Sequence, residues 1–112
     1  MYEIILTIDA VEDLRSLSAF DRAKIVEALD VHLKHEPMKL SRSRIKRMRD
    51  LVKPQYRLRV NDWRVYYDVT EKHVVIFGVI PKSQQDQWLA ENGIPEIEDD
   101  DNETDLAGGS SE

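Results

Sequence analysis

The sequence predicts an α+β fold in which an N-terminal strand and a helical hairpin pack on a mostly antiparallel four-stranded sheet, followed by a short C-terminal helix. Residues 55–69 alternate between apolar and polar side chains in two runs separated by Asn61 and Asp62, which is the pattern of a β-hairpin. Residues 9–36 repeat apolar side chains at helical spacing, and residues 73–80 carry them on both strand faces. Together these patterns indicate helices on one face of an antiparallel sheet.

The N-terminal third of the chain predicts one strand and two helices. Tyr2–Thr7 is rich in β-branched and aromatic residues, as strands are. Asp9 is expected to cap a first helix with an inward face of Val11, Leu14 and Leu17. Ser18 is expected to cap the second helix, and Pro37 to end it. The expected core stripe of this second helix consists of Phe20, Ile25, Leu29 and Leu33.

Residues 39–53 form a basic block, which we expect to run as an irregular connection with a short strand or helical turn between Ile45 and Leu51. Its basic residues are Lys39, Arg42, Arg44, Lys46, Arg47, Arg49 and Lys53. Residues 39–64 hold ten basic residues and two acids in all. This charge density indicates a polyanionic partner, most simply nucleic acid, or an acidic protein segment.

The register of the hairpin at residues 55–69 follows from its turn. Asn61 and Asp62 tolerate the positive φ angles of a two-residue turn. The strands then pair Val60 with Trp63, Arg59 with Arg64, Leu58 with Val65, and Arg57 with Tyr66. One face of the hairpin is therefore apolar or aromatic, and the other carries three guanidinium groups and a phenol.

Residues 73–80 predict a central strand that the first strand joins. We expect Val74, Ile76 and Ile80 on one face, and Val75, Phe77 and Val79 on the other. Gly78 marks a close approach of another group to the backbone. Pro81 ends the strand. Residues 82–91 predict the last helix, which turns Trp88 and Leu89 inward.

Charge divides the chain into a folded domain, residues 1–93, and an acidic tail, residues 94–112, which we expect to be disordered in isolation. Residues 91–112 hold nine acids and no Lys or Arg. The remaining sixteen basic and thirteen acidic residues give residues 1–90 a net charge of +3, although the whole chain carries −6. We also interpret residues 96–105 as a segment that folds back over the basic surface.

Several classes of protein and site do not fit the composition. The chain has no cysteine, so disulfides and thiolate metal sites are excluded. It lacks an apolar run of membrane-spanning length and the layout of a signal peptide, so we expect a cytoplasmic protein without a membrane partner. His32 and His35 have only Glu36 as an evident further ligand, so we expect no metal and no cofactor.

Arg59 and Arg64 face each other in the predicted hairpin, which is unfavourable unless a negative charge lies nearby. A row of arginines fits phosphate groups, because each guanidinium binds a phosphate through two parallel hydrogen bonds. The alternative is a solvated face whose arginines pair with carboxylates elsewhere in the chain. The hairpin alone leaves both interpretations open.

The sequence resembles the RelE/ParE superfamily of bacterial toxins from toxin–antitoxin pairs, over residues 1–92. The resemblance rests on the first strand with its helical hairpin and on three further stretches: Ser43–Leu51, Tyr56–Val69 and Ile80–Lys82. It implies a RelE-like ribonuclease that cuts mRNA in the ribosomal A site by attack of the RNA 2′-hydroxyl on the adjacent phosphate. Family catalytic positions correspond to Arg57, Arg59, Arg64, Lys82 and Trp88.

Two departures from the family pattern bear on that activity. The family has lysines at some of the positions held here by arginine, and the ribonuclease branch often has tyrosine where this chain has Trp88. Arginine is a poor general base because its pKa is too high. The residues expected to bind RNA are Arg44, Lys46, Arg47, Arg49, Lys53 and Tyr66.

The resemblance leaves three functions open. The first is the mRNA endonuclease, with mRNA and the ribosome as partners. The second is a ParE-like toxin that inhibits DNA gyrase by binding. The third is a toxin fold that has lost its chemistry and acts as an interaction module. In each case we expect a cognate antitoxin and a toxin–antitoxin hetero-oligomer, with the antitoxin on the helical hairpin or the sheet edge.

Overall fold

The computed structural model describes residues 1–97 and confirms the predicted α+β fold. Its helices are α1 (Ile8–Arg15), α2 (Ala19–Leu33) and α3 (Gln85–Asn92), the last preceded by a 3₁₀ turn at Lys82–Gln84. Its strands are β1 (Glu3–Leu6), β2 (Ile45–Arg47), β3 (Leu51–Lys53), β4 (Tyr56–Val60), β5 (Trp63–Val69), β6 (His73–Pro81) and β7 (Ile94–Pro95). None of the helices described is long and apolar enough to cross a membrane.

The main sheet has five strands in the order β1-β6-β5-β4-β2, one more than expected. The added strand, β2, lies in the basic block and pairs with β4. Of the short strand and the helical turn that were the two expectations for this block, the strand is therefore the one that forms. As predicted, β1 inserts beside β6, and this is the one parallel pair of the described sheet. β6 is interior, although β5 occupies the middle position. β3 and β7 form a separate two-stranded ribbon.

The predicted register of the hairpin is confirmed. Arg59 pairs with Arg64 and Arg57 pairs with Tyr66, as the two-residue turn requires. Asn61 has φ 53°, a left-handed conformation that asparagine adopts more readily than most residues. The turn chemistry therefore determines which side chains share each face.

Two details of the helical hairpin differ from the predictions. Thr7, and not Asp9, caps α1, because its Oγ1 accepts a hydrogen bond from the amide of Ala10 at 3.2 Å. Ser18 caps α2 as expected. Phe20 is 70% exposed and does not belong to the core stripe. It precedes Ile25 by five residues, which places it roughly 140° around the helix from that stripe.

A β-bulge in β6 overturns part of the predicted face assignment. Tyr67 pairs with Ile76 and Tyr66 pairs with Gly78, so Phe77 is an additional residue between the two pairs. Beyond the bulge, Val79 turns toward the helices, where it is 3% exposed, and Ile80 turns to the opposite face beside Arg64. Strict alternation placed these two side chains on the wrong faces.

The core lies between α1, α2 and one face of the sheet. Its buried members include Leu14, Ile25, Leu33, Leu58, Val65, Tyr67 and Ile76. The Tyr67 hydroxyl donates to the carbonyl of Pro37 at 2.6 Å, which fixes the segment after α2 against the sheet. The opposite face of the sheet remains available for other contacts.

The described structure continues past the predicted boundary at residue 93. Ile94–Pro95 forms β7 and pairs with β3, so this short stretch packs with the domain. The rest of the predicted tail, residues 98–112, lies outside the described residues. So does most of the segment 96–105 that is expected to fold back over the basic surface.

Candidate functional site

The sheet face opposite α1 and α2 carries Arg57 and Arg59 from β4 and Arg64 from β5, and we call it the arginine face. The strand alternation and the pairing of Arg59 with Arg64 place all three side chains on this side. Lys46 joins them, because β2 pairs it with Arg57. The sheet therefore brings together the guanidinium groups of Arg57, Arg59 and Arg64, as the predicted register of the hairpin requires.

Arg64 is the most enclosed cation of this face, with 5% of its surface exposed. Its Nη1 donates to the carbonyls of Asn61 and Trp63, both at 2.9 Å. Burial lowers the pKa of Arg64, and the charges of Arg57 and Arg59 lower it further. The guanidinium nevertheless stays charged near neutral pH. The hairpin turn therefore holds a fixed positive charge against the sheet.

No carboxylate of residues 1–97 forms an ion pair with the arginine face. The charge of Asp62 opposes the lowering of the Arg64 pKa only in small part. The ion pairs of this region join Lys34 to Asp30, Lys39 to Glu36, and His73 to Glu3. The Nε atoms of Arg57 and Arg64 are buried without an acceptor in the same region. Buried donors without acceptors and adjacent like charges both destabilise the unliganded face. An anion at this face would relieve the charge repulsion, so the described residues favour the anion-binding interpretation over internal pairing.

Trp88 from α3 covers the neighbouring part of the arginine face. Its ring stacks on Tyr66 with centroids 4.9 Å apart and planes within 12°. Tyr66 is fully buried, and its hydroxyl donates to Oε1 of Gln85 at 3.1 Å. Burial raises the pKa of Tyr66. Trp88 thus occupies the ring face on which a nucleic-acid base would stack.

Gly78 makes this stack possible. A Cβ atom at residue 78 would lie 2.8 Å from the Trp88 ring, closer than real Cβ contacts. The predicted close approach at Gly78 is therefore confirmed, and the approaching group is Trp88. Trp88 does turn inward as expected, but it packs on the arginine face and not in the helix-side core. The role of Gln85, whose side chain accepts the hydrogen bond of the Tyr66 hydroxyl, was not predicted. No pattern in the sequence indicates it.

The remaining predicted site residues are distributed around the molecule. Lys82 is exposed at the end of β6, where it lines a hollow with Asp62, Gln85 and Asp86. Arg44 faces α2, where its charge adds to burial in lowering the pKa of His32. Arg44 therefore lies away from the arginine face, whereas Lys82 borders it through the hollow that it shares with Gln85.

Three further basic residues of the block, Arg47, Arg49 and Lys53, lie on or next to β2 and β3. The Arg47 guanidinium lies 5.2 Å from the Tyr56 ring centre, and its Nη1 donates to the carbonyl of Gln55 at 2.8 Å. Lys53 places its ammonium 4.2 Å from the ring centre of Phe77. Arg49 is exposed in the turn between β2 and β3. Of the predicted RNA-binding set, Lys46 lies on the arginine face, and Arg47, Arg49 and Lys53 lie on or next to β2 and β3. Arg44 instead faces α2, and Tyr66 is buried.

Fold and site together define a small α+β domain of the RelE/ParE type. Residues 4–86 match the family model described as the ParE toxin of the type II toxin–antitoxin system, parDE. The chain therefore belongs to this toxin family of type II toxin–antitoxin systems, within the RelE/ParE superfamily. No curated protein matches the sequence.

Solved structures place the chain near the RelE branch. The RelBE2 toxin–antitoxin complex of Mycobacterium tuberculosis is 26% identical, with 71% of this chain and 96% of that chain covered and a TM-score of 0.62. The archaeal RelE–RelB complex of Pyrococcus horikoshii is also 26% identical, covering 74% and 97% at a TM-score of 0.53. YafQ of E. coli is 13% identical, covers 76% and 98%, and shares the fold at a TM-score of 0.54.

Proposed function

We propose that this toxin is a ribosome-dependent mRNA endonuclease that acts in the cytoplasm and inhibits translation. The observation that supports the proposal is the convergence of Arg57, Arg59 and Arg64 on one sheet face without a carboxylate partner among residues 1–97. The likeness to RelE structures agrees with this interpretation. Binding of DNA gyrase alone gives no physical reason for three arginines without carboxylate partners to converge on one sheet face.

The proposed reaction is attack of an RNA 2′-hydroxyl on the adjacent phosphorus. The new P–O bond gives a 2′,3′-cyclic phosphate, and the bond to the 5′-oxygen breaks to release a 5′-hydroxyl. The attacking hydroxyl loses a proton and the leaving oxygen gains one. Negative charge builds up on the phosphorane oxygens, and the guanidinium groups of Arg59 and Arg64 stabilise it. The arginines supply electrostatic stabilisation and not proton transfer.

The proposal is tested on translating ribosomes programmed with a defined mRNA. Primer extension should show cuts in the A-site codon with the full-length chain, and the fragments should carry 2′,3′-cyclic phosphate and 5′-hydroxyl ends. Arg59→Ala is the preferred variant, because Arg59 is exposed and has no partner within the described residues that its loss would leave unpaired. We expect cleavage to fall by about 10²-fold or more.

Arg15→Ala is the matched control, because Arg15 is exposed on α1, on the other side of the sheet. It should cut like the wild type. Intact mRNA with folded wild-type protein would reject the endonuclease. Inhibition of DNA supercoiling in a parallel gyrase assay would then establish the ParE-like alternative.

We further propose that a cognate antitoxin binds this chain as part of a hetero-oligomer. The two RelE structures that are 26% identical to it are complexes with RelB antitoxins. The helical hairpin exposes apolar side chains for such a partner: Ile8, Phe20, Val26 and Val31. Co-purification with the protein encoded beside this one tests the proposal, and Phe20→Asp should weaken the complex. Failure of the wild type to co-purify would count against it.

A further inference from the structure

The last described residues run beside β3 and the turn that connects it to β2. β7 pairs with β3, with Pro95 opposite Leu51. The amide of Glu96 then donates to the carbonyl of Asp50 at 3.0 Å, in the turn between β2 and β3. Arg49 is exposed in this turn. The chain therefore passes from the described region into its acidic segment next to the turn that exposes Arg49.

The segment that follows is the most acidic part of the sequence. Residues 98–105 hold six acids and no basic residue: Glu98, Asp99, Asp100, Asp101, Glu103 and Asp105. The arginine face lacks a carboxylate partner within residues 1–97. The charges of the segment and of the face are thus complementary and lie on one chain.

Segment 98–105 is long enough to reach the arginine face from the turn between β2 and β3. The turn lies at the Tyr56 end of β4, and Arg59 is three residues, or about 10 Å, further along that strand. Across the strands, β2 lies about 10 Å from β5 at the usual strand spacing. Eight extended residues span up to about 26 Å. Lys46, which pairs with Arg57, is the cation of the arginine face that β2 contributes, on the strand next to the turn. Segment 98–105 can therefore extend from the turn to Arg59 and Arg64.

We propose that the acidic segment 98–105 binds the arginine face of its own chain and competes there with the RNA phosphate backbone. The competition with RNA rests on the proposed function, whereas binding of the segment to the face does not. Attachment to the same chain gives the segment a high effective concentration, so weak ion pairs suffice. An RNA or an acidic partner must displace the segment, and salt weakens it by screening.

Binding of the segment is tested without RNA by NMR of the arginine Nε–Hε groups in the full-length chain. The variant neutralises the segment: Glu98→Gln, Asp99→Asn, Asp100→Asn, Asp101→Asn, Glu103→Gln and Asp105→Asn. We expect the signals of Arg57, Arg59 and Arg64 to shift between wild type and variant, independently of protein concentration. Unchanged signals would overturn the proposal. Shifts that grow with concentration would also overturn it, because a second copy would then be the occupant.

Competition is tested with a ten-nucleotide 2′-O-methyl RNA, which cannot be cleaved by attack of a 2′-hydroxyl. By fluorescence anisotropy, the neutralised variant should bind about tenfold more tightly than the wild type at roughly 50 mM salt, and the two should converge near about 0.5 M. Equal affinities at every salt concentration would overturn the competition.

A control variant separates local binding from net charge. Glu12→Gln, Glu27→Gln and Glu71→Gln remove three exposed acids outside the segment, half as many charges as the neutralised variant, and this variant should bind RNA like the wild type. Tightening by half or more of that of the neutralised variant, on a logarithmic scale, would overturn the proposal. If no variant binds RNA while the arginine signals still shift, the competition with RNA is overturned and binding of the segment stands, whereas the proposed function is decided by the assay on translating ribosomes.

Discussion

Trp88 lies flat over Tyr66, with ring centroids 4.9 Å apart, and this stack joins α3 to the sheet beside the arginine face. Because Tyr66 is fully buried, its ring and hydroxyl belong to the interior and not to the binding surface. Under the proposed function, the aromatic surface left for an RNA base on this side is the face of Trp88 turned away from Tyr66. The position of α3 therefore decides what the arginine face offers to a ligand.

Gly78→Ala should displace Trp88 from Tyr66. The new Cβ would lie 2.8 Å from the indole ring, so the ring must move and α3 with it. We expect a loss of about 1–3 kcal/mol in the free energy of unfolding, typical of overpacking. Chemical denaturation measures the loss, and near-UV circular dichroism reports the altered environment of the indole.

The double variant Gly78→Ala/Trp88→Ala distinguishes this clash from a backbone effect. Once the indole is absent, adding the Cβ should cost little beyond the loss from Trp88→Ala itself. A full additional penalty in the double variant would show that the strand, and not the indole, requires glycine.

Asp13 should stabilise the bulge through its hydrogen bond and not through its charge. Its Oδ2 accepts from the amide of Val79 at 2.9 Å, at the point where the bulge has turned β6. Asp13→Ala leaves this amide without its acceptor, which should cost about 1–3 kcal/mol. Asp13→Asn keeps an acceptor in place and should retain most of the stability. Thermal unfolding of the two variants makes the comparison.

The pH dependence of stability checks the same residue. Burial raises the pKa of Asp13, and the hydrogen bond from Val79 opposes this only in part. The native state therefore holds the proton to higher pH than the unfolded chain. Its contribution to stability is present below the ordinary value of 3.8 and is lost as pH rises through the native pKa. The stability of Asp13→Asn relative to wild type should rise across that window, and a constant difference would contradict the assignment.

His32 should titrate below its ordinary value because of burial and, secondarily, because of Arg44. In Arg44→Gln we expect the midpoint of the imidazole NMR titration to rise, yet to stay below 6.5 because burial remains. Added salt should raise the wild-type midpoint and have less effect in the variant. An unchanged midpoint in Arg44→Gln would show that the two side chains do not interact.

Tyr67→Phe should destabilise the fold without touching the arginine face. The hydroxyl donates to the buried carbonyl of Pro37 at 2.6 Å, and its removal leaves that acceptor unpaired. A loss of about 1–2 kcal/mol is expected from denaturant unfolding. Tyr56→Phe is the control, because Tyr56 stacks on Tyr67 and is only half-buried. Equal losses in both would contradict the role of the Pro37 contact.

The predictions that succeeded depend on local chemistry. Alternation and the Asn61–Asp62 turn determine the hairpin register, so the convergence of Arg57, Arg59 and Arg64 follows from the sequence. The bulge at Phe77 does not follow from the sequence, because it depends on how β6 pairs with β1 and β5 at the same time. A strict period of two therefore misplaced the side chains after it.

The surroundings of the site were beyond sequence reasoning for a similar reason. The stacking of Trp88 on Tyr66 joins residues from different elements, and spacing along the chain does not encode it. The same holds for Arg44, which alternation would place beside Arg59 but which interacts with His32 on α2. A composition-based set of RNA-binding residues thus mixed two sides of the molecule.

β2 ends the main sheet, and two of its residues, Lys46 and Arg47, are cations. If two copies of the chain joined through this strand, four positive charges would meet along one ladder. Self-association by strand addition is therefore disfavoured at this edge, whereas a foreign strand rich in Asp and Glu would be accepted. The edge thus opposes fibre-like aggregation.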